Sequence, residues 1–133
     1  MTSKVIYEGN LRTRMKHFYS GTEVLTDAPL DNQGLAQAFS PTDLVATALA
    51  SCMISIMGIK ARDMSLDLKG TQAEVTKIMA SDPRRISEVR VVLKFPKNIF
   101  TDKDKTILEN AARTCPVAKS LHPDVLQNVT FEW

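Results

Sequence analysis

Two cysteines, Cys52 and Cys115, have the best claim to nucleophilic or redox chemistry in this 133-residue sequence. The thiolate is the reactive form of cysteine, so the local electrostatics of each thiol decide what it can do. Cys115 precedes Pro116 and can stand at the N-cap of a following helical turn, where the exposed peptide N–H groups favour thiolate. Cys52 lies inside a long apolar stretch, where burial raises a thiol pKa unless a cation or a hydrogen-bond donor reaches it. Read locally, Cys115 is expected to be the more acidic of the two. The pair has no CxxC spacing. His17 and His122 are too scattered to complete four tetrahedral ligands, so no metal site is expected.

The elements that must position these thiols can be read in outline. Residues 4–8, 12–19 and 23–27 read as a strand meander broken by the turn signal "SGT". Residues 28–39 read as a loop long enough to suggest binding. A helix then begins: Ser40 suits the N-cap, Pro41 the first helical position, and Asp43 the third. It should run to about Arg62 and be buried on most sides, because it is apolar nearly all round. A strand after Gly70, a turn at 82–85 and a strand over 86–96 predict a long hairpin. In its second strand Val89, Val91 and Leu93 alternate with Arg90, Val92 and Lys94. A helix over 101–114, a short turn after Pro116 and a strand over 129–133 complete the order β-β-β-α-β-β-α-α-β. The fold class is α+β with mainly antiparallel sheets around a long buried central helix, in one domain spanning 1–133.

Composition sets limits on function. The apolar fraction of 44% and the charged fraction of 24% are ordinary for a globular chain. A net charge of +2 gives no argument for nucleic acid or an acidic membrane surface. Arg12, Arg14 and Lys16 cluster, and a solvated strand face is the favoured reading. The uncharged run from Leu44 to Ile59 is shorter than the roughly 18–20 residues that span a bilayer. It is also broken by Thr47, Ser51, Ser55 and Gly58, so no membrane span is expected. No apolar export signal follows Lys4, which predicts a cytoplasmic, reducing setting without a permanent structural disulfide.

The stretch "SPTDLVATALASC" at 40–52 resembles the first signature of the OsmC/Ohr family, osmotically inducible and organic hydroperoxide resistance proteins. "CPVAKSL" at 115–121 resembles the second. The resemblance covers nearly the whole chain. It implies an OsmC-like fold assembled as an intertwined homodimer. It also implies a thiol-dependent peroxidase for organic hydroperoxides, with Cys52 peroxidatic and Cys115 resolving. No metal or flavin would be needed, and a dithiol such as a lipoylated protein would restore the thiols. Peroxidase branches of the family place a glutamate directly after the helix-start proline and pair it with a meander arginine that supports the thiolate. Here Thr42 follows Pro41 and the acid comes next, in an "SPTD" form like that of another branch. Arg12 and Arg14 are the candidate arginines, at most one of them expected to face inward, and Asp43 is the candidate acid, with capping as its competing role. A second reading on the same fold is a small-molecule-binding or redox-sensing protein.

Overall fold

The structure, a computed structural model, describes residues 1–97 and 100–133. The elements in chain order are β1 (Ser3–Gly9), β2 (Arg12–His17), β3 (Glu23–Asp27), a 3-10 turn at Leu30–Asn32, and α1 (Pro41–Asp63). They continue with β4 (Gln72–Ser81), β5 (Arg84–Lys94), α2 (Asp102–Arg113), α3 (Pro116–Ser120) and β6 (Leu126–Glu132). The α+β order expected from the sequence is therefore present. The chain divides into two compact units, Met1–Val45 and Ala46–Trp133.

In the first unit β1, β2 and β3 form an antiparallel meander in that order. Strand β2 stops at His17, so Phe18 and Tyr19 belong to the turn and are exposed. The loop after β3 is more ordered than its composition suggests. Gly34 passes so close to the backbone of Ala28 that an added Cβ would lie 1.6 Å from its carbonyl oxygen. No larger residue fits there. Gln33 and Ala36 hold positive φ angles of 64° and 49°, a region that non-glycine residues seldom occupy.

In the second unit β4 and β5 pair antiparallel over their full length, and β6 lies parallel to β5. Parallel neighbours cannot be joined by a tight turn. The segment carrying α2 and α3 supplies the crossover, which is why Cys115 sits where it does in the chain. The hairpin turn is tighter than expected: Asp82 and Pro83 alone connect the strands, with Ser81 opposite Arg84, so Arg84 and Arg85 are strand residues. The predicted alternation on β5 holds, with Val89, Val91 and Leu93 fully buried and Arg90 exposed.

Helix α1 has the expected bounds, but its apolar span and its burial differ from expectation. An 18-residue window of its 23 residues has a mean hydropathy of 1.8, long and apolar enough to cross a membrane, so the uncharged run underestimates the apolar span. The run counts only residues without charge, whereas Pro41–Asp43 and Lys60–Asp63 extend the helix through polar turns. It is also not buried on most sides. Ala46, Leu49, Ala50, Met53, Met57 and Ala61 form one buried stripe at helical spacing, while Val45 and Ile59 remain 39% and 50% exposed. The buried stripe packs with Val89, Val91, Leu93, Leu108 and Ala112 into one core. In a single chain, the opposite side of α1 leaves Val45, Ala48 and Ile59 exposed beside Ser51 and Ser55.

Candidate active site

The start of α1 is fixed by a reciprocal cap. Ser40 Oγ accepts from the Asp43 backbone N–H at 3.1 Å, and Asp43 Oδ2 accepts from the Ser40 N–H at 2.8 Å. Two N–H groups that the helix itself cannot satisfy are thereby bonded. This is the capping role weighed for Asp43. Three turns on, Cys52 is half-buried and packs against the core.

Cys115 is reached from the other side. The capping box of Thr101 and Asp104 starts α2, whose last turn closes at Thr114. Cys115 itself is extended, with φ −62° and ψ 149°, and Pro116 opens α3. The Cys115 sulfur accepts from the Ala118 N–H at 3.4 Å, so the predicted N-cap position is occupied. The expected acidity is not. Cys115 is fully buried, and loss of solvent pushes its thiol pKa up; the Ala118 N–H opposes this only in part. The Cys52 thiol pushes it further up. Burial outweighs the helix terminus because α3 has only five residues and presents few aligned peptide groups. Neither cysteine is in a disulfide. Two thiols remote in sequence thus influence one another, Cys115 within the core of the second unit and Cys52 packed against it.

The first unit separates the two meander arginines by their partners. Residues two apart on a strand share a face, so strand alternation gives no ground for expecting one inward and one outward. Arg12 donates through Nε and Nη2 to the two carboxylate oxygens of Asp27, at 2.7 and 2.9 Å, and through Nη2 to Gln37 Oε1 at 2.8 Å. Asp27 is buried and also accepts from the Gln37 backbone N–H. The Arg12 hydrogen bond holds its carboxyl below the usual range. Arg14 instead bonds Glu8 and Glu23 on an exposed surface, and Lys16 lies 3.8 Å from Glu23. The basic cluster is thus matched by carboxylates. A cleft of about 280 Å³ lined by Glu8, Gly9, Asn10, Arg12, Leu35 and Gln37 opens beside the Arg12 guanidinium. Asp27 and Gln37 were not legible as site residues. Their only sequence trace is that Asp27 closes a strand and Gln37 lies in a long loop.

The histidines lie apart from this chemistry. His17 pairs with Ser20 at 2.8 Å, and His122 bonds the Asp124 backbone on an exposed turn. Among the described residues, no three His, Cys, Asp or Glu side chains are grouped to hold a metal ion.

Comparison with known proteins agrees with this architecture. The family model described as OsmC-like protein matches residues 33–129. The chain belongs to the OsmC-like protein family. A crystal structure from Psychrobacter arcticus 273-4, described as an osmotic stress induced and detoxification response protein, is 58% identical. The match covers 99% of this chain and 96% of that one, with a TM-score of 0.95. The organic hydroperoxide resistance protein OsmC of Legionella pneumophila is 15% identical, with a TM-score of 0.75 over 100% of this chain and 98% of that one. OhrB of Bacillus subtilis, an organic hydroperoxide resistance protein, is 16% identical, with a TM-score of 0.68 over 99% and 98%. At such identities the last two share the OsmC-like fold and carry no statement about activity. No curated protein matches the chain.

Proposed function

We propose that this OsmC-like protein is a thiol-dependent peroxidase that reduces organic hydroperoxides to alcohols. The observation that supports the reading is the influence of the Cys52 thiol on Cys115, two cysteines remote in sequence, within an OsmC-like fold. The half-exposed Cys52 thiolate attacks the terminal oxygen of ROOH, the O–O bond breaks, and the alkoxide takes up a proton to leave as ROH. Cys52 is left as sulfenic acid. The Cys115 thiol then condenses with it, forming the Cys52–Cys115 disulfide and releasing water. An external dithiol, for which a lipoylated protein is the natural class, reduces the disulfide and is itself oxidised. The chemistry calls for no metal or flavin, and a reducing cytoplasm suits both thiols.

Of the two meander arginines, we assign thiolate support to Arg12, because the buried Asp27 carboxylate fixes its guanidinium, while the Glu8 and Glu23 partners of Arg14 are far more open. The test of that assignment is the pH dependence of Cys52 alkylation in Arg12→Met and Arg14→Met. Equal profiles for both would remove it. The activity itself is tested by consumption of cumene hydroperoxide with dihydrolipoamide as reductant. Turnover is expected from the native chain and not from Cys52→Ser; equal turnover by both would sink the peroxidase reading.

A second reading has one observation in its favour. The raised pKa of buried Cys115 leaves little thiolate at neutral pH, so condensation is slow and a Cys52 sulfenic acid outlives the peroxide. Such a protein senses peroxide rather than clearing it. Stoichiometric oxidation of Cys52 without multiple turnovers is its signature.

A further inference from the structure

The five residues of α3 cannot hold a helical turn by themselves, since nucleation is unfavourable and a short helix depends on tertiary anchors. One anchor comes from β6. Gln127 Nε2 donates to the Ala118 carbonyl at 2.9 Å, in a half-buried position. The same residue, Ala118, gives its N–H to the Cys115 sulfur. Ala118 is therefore tied on one side to β6 and on the other to the thiol.

The strand anchors the other flank of Cys115 as well. Gln127, Val129 and Phe131 share the inward side of β6, alternating with exposed Leu126, Asn128, Thr130 and Glu132, and half-buried Trp133 follows directly after the strand. Arg113, two residues before Cys115, lies over the Phe131 ring at 5.1 Å. Trp133 Nε1 donates to Glu109 on α2 at 2.9 Å. One ridge of a single strand thus holds the helix before the cysteine and the turn after it.

We propose that Gln127 is a positioning residue for Cys115, holding α3 so that the thiol faces Cys52 for condensation. This rests on the peroxidase reading for its purpose, but the placement of the thiol is a property of the chain without peroxide. When the Gln127 donor is removed, the Ala118 carbonyl loses its partner, α3 frays, and Cys115 leaves its buried position more often. Alkylation of Cys115 then speeds up while condensation with Cys52 slows down. General loss of stability, far below the melting temperature, moves neither rate in this pattern.

The experiment has two arms. In a Cys52→Ser background, Cys115 alkylation by iodoacetamide is timed for the parent, Gln127→Met, Gln127→Glu and, as control, Asn128→Ala. Gln127→Glu keeps the side-chain shape and replaces the donor with an acceptor, so it serves if Gln127→Met does not fold. Faster alkylation by roughly two- to tenfold, the worth of one ordinary hydrogen bond, is expected for both Gln127 variants. Asn128→Ala, whose parent side chain is exposed and bonds Glu88, should match the parent. In the two-cysteine chain, one equivalent of cumene hydroperoxide should give slower disulfide formation by a similar factor, with more Cys52 sulfenic acid trapped by dimedone. Parent-like alkylation in the Gln127 variants overturns the positioning role. A parent chain that forms neither sulfenic acid nor disulfide overturns the peroxidase reading instead, and the alkylation arm still decides where Gln127 acts.

Discussion

Cys115 shows how one residue answers to two opposing effects. Its N-cap position gives it the Ala118 N–H, but full burial removes the water that would solvate a thiolate, and the raised pKa records which effect wins. The consequence is a pH dependence. A raised thiol pKa keeps Cys115 protonated at neutral pH, so disulfide condensation after a peroxide pulse should speed up as pH rises past the ordinary thiol value of about 8.5. Stopped-flow tryptophan fluorescence or quenched mass spectrometry reads this, and a flat profile between pH 7 and 9 would contradict it.

The carboxylate of Asp27 gives the opposite sign. Its folded pKa is lowered, first by the Arg12 hydrogen bond, so its stabilising contribution is present above the unfolded carboxylate value and is lost as pH falls through the folded one. Asp27→Asn should therefore be clearly less stable than the native chain at pH 7. The gap should shrink in acid, below about 3.9. Urea titrations at pH 7 and pH 3 test this.

At the scale of elements, α1 combines a cap, a buried stripe and an exposed opposite side. Loss of the Ser40 side chain in Ser40→Ala should cost about 1 kcal/mol, as for other N-cap serines. Met57 is fully buried in the core stripe, and Met57→Ala should cost about 2–5 kcal/mol by the transfer and cavity contributions together. Denaturant midpoints rank the two, and a Met57→Ala cost below that of Ser40→Ala would mean the stripe is not packed as described. The sheet containing β5 was legible because alternation is a local property of the strand. The final strand β6 was legible too, but its parallel pairing with β5 was not, since pairing direction depends on where the α2–α3 crossover returns the chain.

At the scale of the molecule, single-chain exposure carries the prediction. Val45 and Ile59 on α1, and Val5, Tyr7, Phe18 and Tyr19 in the first unit, are large apolar residues left in water. Exposed large apolar side chains of this kind suit a surface that another copy of the chain can cover. We propose a homodimer, for which light scattering should give twice the 14.8 kDa chain mass. Ile59→Lys places a charge in the uncovered side of α1 and should shift the population toward monomer. An unchanged dimer in that variant would remove Ile59 from the interface.

The sequence by itself determined the features that depend on nearest neighbours along the chain. These are the Ser40–Asp43 cap, the β5 alternation, the Pro116 break that creates α3, and the two cysteine motifs of an OsmC-like protein. Capping and periodicity act within a few residues, so residue types suffice to read them. Tertiary structure alone decided that the Cys52 thiol influences Cys115, that burial pushes the Cys115 thiol up, that Arg12 rather than Arg14 is locked to a buried acid, and that Gln127 reaches α3. Those outcomes depend on solvent exclusion and on contacts between residues far apart in the chain. No local pattern encodes either.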